Sequence, residues 1–506
     1  MSDPAPVKPA SPAVPAAISG IDVMRGVGAV RAKGFWADAW GRVLSRRGAV
    51  FGIAWISVVA FFAVFAPFVA NAHPYTLVRA AADGTAVREW PLFANLTPTD
   101  ILLVAGALVG LPWVFLGTRK LTRAQRLGML VVAALQCGAV VVLGGAILAW
   151  AQGADRAEWL KDFARGAAGP WFVVGGVSAL ATALAVAVPS VDSLARRLAT
   201  GVAVGLLAMA VTAGTGGASL VNFERYVDDE RSGAVRDVAW APIPWSPQYT
   251  RSDMVAVPPG TKVADWGRLG EFKDTAFGER RVLLGTDALG GDVLSQMMWA
   301  CRLSISIGIV STGLSVAIGV TVGAVMGYFG GKVDLFLFRI VEIFMAVPVL
   351  FLLIVAAGVL PRDTYVMMAI IGCFSWTGAA RFTRAEFLKL RNQDFVQAAR
   401  ANGLPVSKIL FRHMLPNGVT PVLVDASFAI AAAITVEATL SYLGLGPDGQ
   451  ASWGKLLSSA TAATGTFVWW LAVFPGAAIF LSVLSYNLLG EAMRDAIDPK
   501  LRKAAH

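Results

Sequence analysis

The 506-residue sequence is 56% hydrophobic and only 15% charged, with a mean hydropathy of +0.63. This composition excludes an ordinary soluble protein, which would expose too much apolar surface to stay monodisperse, and it indicates a polytopic protein of the lipid bilayer. The net charge of +10 comes from basic residues in short loops beside apolar segments, which favours a positive-inside orientation over nucleic-acid binding.

The N-terminal part of the chain combines a polar tail with a first span. Residues 1–32 are rich in Pro and Ala, so we expect a disordered cytoplasmic tail. The segment 33–70 contains the first apolar span, and Arg42, Arg46 and Arg47 precede it directly. Basic residues at this position predict that the N-terminus lies inside.

Four further spans are predicted in an inserted region, residues 71–219. They lie at about 100–117, 127–150, 171–189 and 198–219, each near the roughly 20 residues that a helix needs to cross the hydrocarbon. Their Gly and Ala content indicates close helix packing, and we expect no buried acidic residue among them. A peripheral scaffold is the favoured interpretation, and a binding site for an additional partner is the alternative.

The loops between these spans alternate in charge. Residues 119–126 hold four basic residues and no acid, whereas residues 152–170 hold three basic and three acidic residues. This alternation predicts that the first of these loops faces the cytoplasm and the second faces outward.

A long polar segment, residues 220–300, follows and is expected in the periplasm. It ends in the stretch LLGTDALGGDVL, which contains Gly285, Thr286, Asp287, Gly290 and Asp292. Glycines permit a tight turn, and both aspartates are suited to cap the start of the helix that follows.

The core domain, residues 301–490, holds five more spans at about 303–328, 335–360, 364–380, 419–443 and 467–490. Counting ten spans places the polar loop 381–417 and the tail 491–506 on the cytoplasmic side. The loop itself carries seven basic residues against two acidic ones, which predicts the same side independently. Within it we predict a short helix from Asp394 to Asn402, ended by Gly403 and Pro405.

Three ionisable residues lie in predicted spans, where such groups are candidates for function. Arg339 and Glu342 are three residues apart and share a helix face. A structural or gating pair is favoured here over contact with a substrate. Glu437, in the span 419–443, faces either a transport pathway or a partner helix, and the sequence does not decide between them.

Sequence patterns for catalysis are missing from the chain. Gly330-Gly331-Lys332 is followed by Val333 and lacks the preceding glycine of a phosphate-binding loop, and no HExxH pattern occurs. We therefore predict that the chain is not an enzyme and holds no metal, and that any ATP hydrolysis takes place on another subunit.

Several separated stretches resemble one family. The residues Gln397, Ala398, Ala399, Gly403, Leu415 and Pro416 resemble the EAA…G…LP signature of ABC-importer membrane subunits, with Gln397 in place of Glu. The GTD stretch at Gly285, the EATLSYLGLG stretch at Glu437 and the RDAIDPKLR stretch at Arg494 resemble the C-type inner-membrane subunit of dipeptide/oligopeptide/nickel permeases. In that family an Arg stands at the position of Gly291.

The resemblance implies a fold and a mechanism. It implies an all-α polytopic protein with a six-span type I importer core, to which about four helices are added. The signature residues would contact a cytoplasmic ATPase, and the chain would pair with a second permease, two ATPase subunits and a periplasmic solute-binding protein in the bacterial inner membrane. It would bind no cofactor itself, because ATP and Mg belong to the ATPase subunits.

Two alternatives from other classes stay open. An ion-coupled secondary transporter would need broken helices and buried ion ligands near the midplane. A non-transporting membrane scaffold is suggested by the four added spans alone. The solute is not decided either, and dipeptides, oligopeptides and nickel are all compatible with the sequence.

Overall fold

The computed structural model describes residues 35–80, 86–116, 122–153, 155–187, 194–214, 223–265, 279–462 and 467–497. The predicted N-terminal tail, most of the predicted C-terminal tail, and Arg119 and Lys120 of the predicted inner loop lie outside the described residues.

Helices dominate the described chain. Those of eight or more residues are α1 (Phe35–Ser45), α2 (Arg47–Val69), α3 (Pro98–Leu116, with a π-helical turn at Gly106–Gly110), α4 (Arg123–Ala151), α5 (Glu158–Arg165), α6 (Gly169–Ala187), α7 (Leu194–Gly214), α8 (Phe223–Arg231), α9 (Val293–Phe329), α10 (Gly331–Ala346), α11 (Val349–Val359), α12 (Thr364–Phe374), α13 (Thr377–Leu390), α14 (Asp394–Ala401), α15 (Thr420–Tyr442), α16 (Trp453–Ala462) and α17 (Trp469–Ile497).

The number of possible membrane spans agrees with the sequence. Within the described residues, eight helices are long and apolar enough to cross a bilayer, and two bent helix pairs raise the number to ten. The predicted all-α polytopic fold is confirmed. Two predicted spans are not single helices. In 335–360, α10 and α11 meet at a bend of 78° beside Pro348, where proline cannot donate the backbone hydrogen bond that a continuous helix needs. In 364–380, α12 and α13 meet at a bend of 41°, and α13 continues to Leu390, into the predicted loop 381–417.

Helix α9 forms the centre of the core. Its 37 residues correspond to about 55 Å at the helical rise per residue. Three of its glycines, Gly319, Gly323 and Gly327, lie against the backbone of α13. A Cβ atom at Gly323 would stand 2.4 Å from the carbonyl oxygen of Ala380, so only glycine allows this approach.

A small antiparallel sheet lies at one end of the helical body. Its strands are β1 (Thr76–Ala80), β2 (Ala86–Glu89) and β3 (Val235–Ala239), in the order β2-β1-β3. A second pair, β4 (Thr261–Lys262) with β5 (Arg281–Val282), lies later in the polar segment. Local sequence patterns do not predict these strands, because the central pairing of β1 with β3 joins segments far apart in the chain.

We name the two ends of the helical body after their structures. The sheet end carries β1–β3, and the loop end carries residues 391–419. Helix α9 runs from the sheet end, where Ser295 Oγ donates to Trp245 O over 2.9 Å, to the loop end, where Tyr328 contacts Arg400.

Helices α4, α6 and α7 pack on one another as a bundle within the predicted inserted region. The Gln136 amide donates to Thr182 Oγ1 at 2.9 Å and to the carbonyl of Gly201 at 2.7 Å, and Ser178 donates to the carbonyl of Gly205. These buried polar groups are satisfied inside the bundle, as polar groups between membrane helices are expected to be. The close packing predicted from the Gly and Ala content is present.

The expectation that the inserted spans bury no acid is wrong. Asp100, in the first turn of α3, is only 2% exposed, and its Oδ1 lies 2.6 Å from Nη1 of Arg302 on α9. Arg302 also donates to the carbonyl of Ala63 on α2. A buried carboxylate is costly unless it is paired, and its partner here comes from a helix about 200 residues away, beyond the reach of any local pattern.

Candidate functional site

The predicted helix of the polar loop is present. Helix α14 begins at Asp394 and ends at Ala401, with Asn402 as its C-cap. Gly403 follows with φ of 67°, the left-handed conformation that favours glycine, and Pro405 comes two residues later. A Cβ atom at Gly403 would meet nothing within 4 Å, so the backbone conformation alone explains the glycine.

Helix α14 has one face in the protein and one face exposed. Val396 and Ala399 are buried in an apolar cluster with Phe387 of α13 and Met414. Beside this buried face, Phe395, Ala398 and the C-cap Asn402 are exposed at helical spacing. The exposed face therefore combines an aromatic ring, a small side chain and a polar cap, and it is available to a partner.

Some of the remaining signature residues are exposed, and others pack against the apolar cluster under α14. Gln397 is exposed, and its amide donates to the carbonyl of Arg391 at 3.2 Å. A π-helical turn, Ile409–Met414, leads into the short helix Leu415–Gly418. In that helix Leu415 packs against the apolar cluster under α14, whereas Pro416 is exposed.

Two contacts at the loop end were missed by the sequence analysis. The Arg400 guanidinium lies 4.5 Å from the ring centroid of Tyr328, and its Nε donates to the Tyr328 hydroxyl at 3.2 Å. Arg384 of α13 forms a two-pronged ion pair with Asp334 of α10, at 2.5 and 2.7 Å. Both contacts join residues at least 50 positions apart, so no local spacing could have indicated them.

Arg339 and Glu342 of α10 form the ion pair that their spacing predicted, with Nη1 and Oε2 at 2.5 Å. The two side chains are 68% and 44% exposed in the single chain. Large apolar side chains on the same helix, Phe336 and Ile343, are also exposed. Charged groups on an otherwise apolar membrane surface are expected to face protein or water and not lipid.

Glu437 lies wholly inside the chain, with no exposed surface. Its Oε1 accepts hydrogen bonds from Ser441 Oγ at 2.8 Å and from Ser452 Oγ at 2.7 Å. Ser452 directly precedes α16. Of the two surroundings left open by the sequence, the structure places Glu437 against another segment of its own chain.

The glycine- and aspartate-rich stretch before α9 forms a hydrogen-bonded turn at the sheet end. Asp292 caps α9, because its Oδ2 accepts from the Ser295 amide at 2.7 Å. Asp287 does not cap the helix as expected and instead closes the turn, accepting from the amides of Leu289 and Gly291. Burial raises the pKa of Asp292 to about 7, and the nearby Asp287 adds to the shift.

The other predicted residues of this stretch shape the same turn. Gly285 and Gly290 both have φ of 81°. Thr286 Oγ1 accepts from the Val257 amide at 2.7 Å and donates to the carbonyl of Met254. At Gly291, a Cβ atom would stand 2.6 Å from Nε2 of Gln296, which donates to Asp287. A neutral amide therefore supplies a donor to Asp287 here.

Two family profiles match the sequence. The one described as "Binding-protein-dependent transport system inner membrane component" matches residues 319–503. The one described as "N-terminal TM domain of oligopeptide transport permease C" matches residues 34–94. The bundle of α4, α6 and α7 lies between the two matched segments.

Three curated relatives align with a little under half of the chain. The oligopeptide transport system permease protein OppC of Bacillus subtilis is 38% identical over 220 residues, which are 43% of this chain and 72% of the relative. The peptidoglycan transport system permease protein YejE of Agrobacterium fabrum is 40% identical over 43% of this chain and 57% of its own length. The inner membrane ABC transporter permease protein YejE of Escherichia coli is 40% identical over 44% of this chain and 64% of its own length.

The matched segments include α2 and the core from the second half of α9 to α17, whose helical architecture is that of a multi-pass inner-membrane permease. The chain therefore belongs to the family of binding-protein-dependent transport system inner membrane components and is a membrane-spanning subunit of an ABC importer, not itself an enzyme.

Proposed function

We propose that this permease carries peptides or similar small solutes into the cell, driven by ATP that is hydrolysed on partner subunits. The observation that carries the proposal is helix α14, which is anchored by Val396 and Ala399 and exposes Phe395, Ala398 and Asn402. A rigid helix with an exposed apolar and polar face suits docking into a groove of another protein. The names of the relatives support peptides as the solute class.

The loop end lies in the cytoplasm in this proposal, and the sheet end lies in the periplasm. The excess of basic residues in residues 381–417 supports this orientation. Both chain termini then lie in the cytoplasm, since α1 and the end of α17 meet near the loop end, where Arg46 pairs with Asp495 at 2.6 Å.

The proposed assembly contains a second permease, two ATPase subunits and a periplasmic solute-binding protein. The exposed face of α10, with the Arg339–Glu342 pair, supports a contact with the second permease, because lipid would solvate this pair poorly. ATP and Mg bind to the ATPase subunits and not to this chain. Closure of those subunits moves α14, and the spans switch between outward- and inward-facing states.

The division of the chain also stays a proposal. We assign the first core span to residues 33–70, the inserted region to 71–219, the periplasmic segment to 220–300 and the core with its coupling loop to 301–490. The inserted bundle acts as a peripheral scaffold in this interpretation, since Gln136 and Ser178, which lie between its helices, are hydrogen-bonded within the bundle.

The substitution Gly403→Asp tests the role of α14. An aspartate in the left-handed conformation strains the end of the helix and places a charge beside its exposed face. We expect uptake and co-purification of the ATPase subunits to be lost, while insertion into the membrane is retained. The measurement is a pull-down of the tagged chain from mild detergent, together with uptake of a labelled peptide.

A matched control is Gly449→Asp, because Gly449 has a similar φ of 68° and also has nothing within 4 Å of a Cβ position. It lies far from α14, at the sheet end, where it accepts a hydrogen bond from Gln248. Retention of the ATPase subunits by the control and their loss from Gly403→Asp is the expected result. Uptake at the wild-type rate by Gly403→Asp would contradict the proposal.

A further inference from the structure

One helix connects the two ends of the molecule without a break. Helix α9 contains 37 residues, and its length of about 55 Å exceeds the roughly 30 Å of a bilayer's hydrocarbon core. A rod of this kind can pass a displacement from the loop end to the sheet end only if both of its ends are fixed to their surroundings.

The sheet end of α9 is fixed by hydrogen bonds to three separate parts of the chain. Ser295 Oγ donates to the carbonyl of Trp245 at 2.9 Å. The indole of Trp299 donates to the carbonyl of Ala70 at 2.9 Å, and the indole of Trp453 donates to the carbonyl of Met297 at 3.1 Å. The first two turns of α9 are therefore held by the sheet-end segment, α2 and α16 together.

The loop end of α9 is fixed to α14 by the contact between Tyr328 and Arg400. Tyr328 is the penultimate residue of α9 and is 8% exposed. The Arg400 guanidinium stacks over its ring and also donates to its hydroxyl at 3.2 Å. A planar guanidinium can make both contacts at once, whereas a lysine ammonium cannot stack in this way.

The other contacts of α14 do not define its angle to α9 equally well. Val396 and Ala399 anchor it through apolar packing, which has little directionality. Residues 391–393 link α14 to α13 through a turn, and the Arg384–Asp334 ion pair holds α13 to α10 and not to α14. The stacked and hydrogen-bonded pair is therefore the directional link between α14 and the central helix.

We propose that Arg400 is a positioning residue, which locks α14 to the end of α9 through Tyr328 so that a displacement of α14 reaches the sheet end along one continuous helix. This inference rests on the proposed function of α14 as the helix that contacts the ATPase. It adds the residue that passes the motion on and the path that the motion takes.

A first experiment needs no partner subunit. Hydrogen–deuterium exchange is measured on the purified full chain and on Arg400→Ala, Tyr328→Leu and Tyr328→Phe. In the first two variants we expect the amides of Val396–Leu404 to exchange about tenfold faster, with no change at the sheet end of α9. Tyr328→Phe keeps the ring and should retain most of the protection.

Controls for this exchange experiment separate a local from a general effect. Arg123→Ala removes an exposed cation from the start of α4, distant from α14, and should leave exchange unchanged. The double variant Arg400→Ala/Tyr328→Leu should be no faster than either single variant, because each already removes the whole contact. Unchanged exchange in Arg400→Ala, or additive effects in the double variant, would overturn the proposal.

A second experiment uses the assembled importer in proteoliposomes and measures peptide taken up per ATP hydrolysed. Arg400→Ala should retain the ATPase subunits and their basal hydrolysis but lose about tenfold in this ratio, and Arg400→Lys should fall between it and the wild type. An unchanged ratio overturns the proposal. Loss of the ATPase subunits from Arg400→Ala also overturns it, because Arg400 would then be a docking residue.

The two experiments distinguish this inference from the proposed function. If the wild-type chain retains no ATPase subunits, the proposed function fails, while the exchange result still decides whether Arg400 fixes α14 to α9. If the wild type and every variant assemble and transport equally, the proposed function stands and the inference fails.

Discussion

At the scale of single residues, two aspartates of the described chain form ion pairs with arginines from distant segments. Asp334 receives two hydrogen bonds from Arg384, and Asp100 pairs with Arg302. Asp292 differs, because its partner is the backbone amide at the start of α9 and a second carboxylate, Asp287, lies nearby. Burial disfavours the charged form of Asp292, and the charge of Asp287 adds to this effect, so the protonated form is more stable than it would be in water.

The raised pKa of Asp292 predicts a pH dependence of stability. The group has a pKa near 3.8 in the unfolded chain and about 7 when folded, so the stability that it contributes is fully present below about pH 4 and is lost as pH rises through about 7. Asp292→Asn keeps the helix cap but does not titrate. We expect the melting temperature of the purified chain to fall less steeply between pH 5 and 8 in this variant than in the wild type. Parallel curves would contradict the assignment.

At the scale of elements, the packing of α9 against α13 depends on the absence of side chains along one stripe. Gly319, Gly323 and Gly327 lie against backbone atoms of α13, which cannot move aside as a flexible side chain would. The connection between α15 and α16 is stabilised by hydrogen bonds instead. Ser441 and Ser452 both donate to the carboxylate of buried Glu437. The glycines bring α9 and α13 closer than side-chain packing would, whereas the hydrogen bonds of Glu437 link α15 to the residue that precedes α16.

Gly323→Ala tests the close approach of α9 and α13. The added methyl group would stand 2.4 Å from the carbonyl oxygen of Ala380, and forcing the helices apart should cost about 1–3 kcal/mol. Gly313→Ala on the same helix is the matched control, because nothing lies within 4 Å of its Cβ position. Thermal unfolding in detergent measures both, and equal melting temperatures would show that the approach is not limiting.

At the scale of the whole molecule, a helical bundle is attached to the side of a permease core. Strand β1 precedes the bundle in the chain and β3 follows it. Their pairing therefore brings the segments before and after the bundle together at the sheet end. The Asp100–Arg302 ion pair joins α3 to α9 in addition. The core from α9 to α17 is therefore joined to the preceding helices through the sheet and through the Asp100–Arg302 ion pair.

Asp100→Asn tests the attachment of the bundle. The substitution leaves the half-buried Arg302 without its charged partner and should cost about 3–5 kcal/mol. The double variant Asp100→Asn/Arg302→Met removes both charges and should recover a large part of this loss. Asp155→Asn, at an exposed loop position, is the control. Thermal unfolding checks the series, and a melting temperature unchanged by Asp100→Asn would contradict the role of the pair.

The sequence by itself determined the features that depend on neighbouring residues. The lengths of the apolar segments predicted ten spans, Gly403 and Pro405 predicted the end of α14, the spacing of Arg339 and Glu342 predicted their pairing, and the resemblance of the signature stretches indicated the family. A helix, its cap and its membrane length are decided within a few turns of chain, so local patterns contain the necessary information.

Only the tertiary structure decided which distant residues meet. The pairing of β1 with β3, the contact of Arg400 with Tyr328 and the ion pair of Asp100 with Arg302 depend on the path of the whole chain. Each of these contacts is stabilised by groups that become neighbours only after the helices have packed, and their spacing along the sequence therefore has no fixed relation to their distance in space.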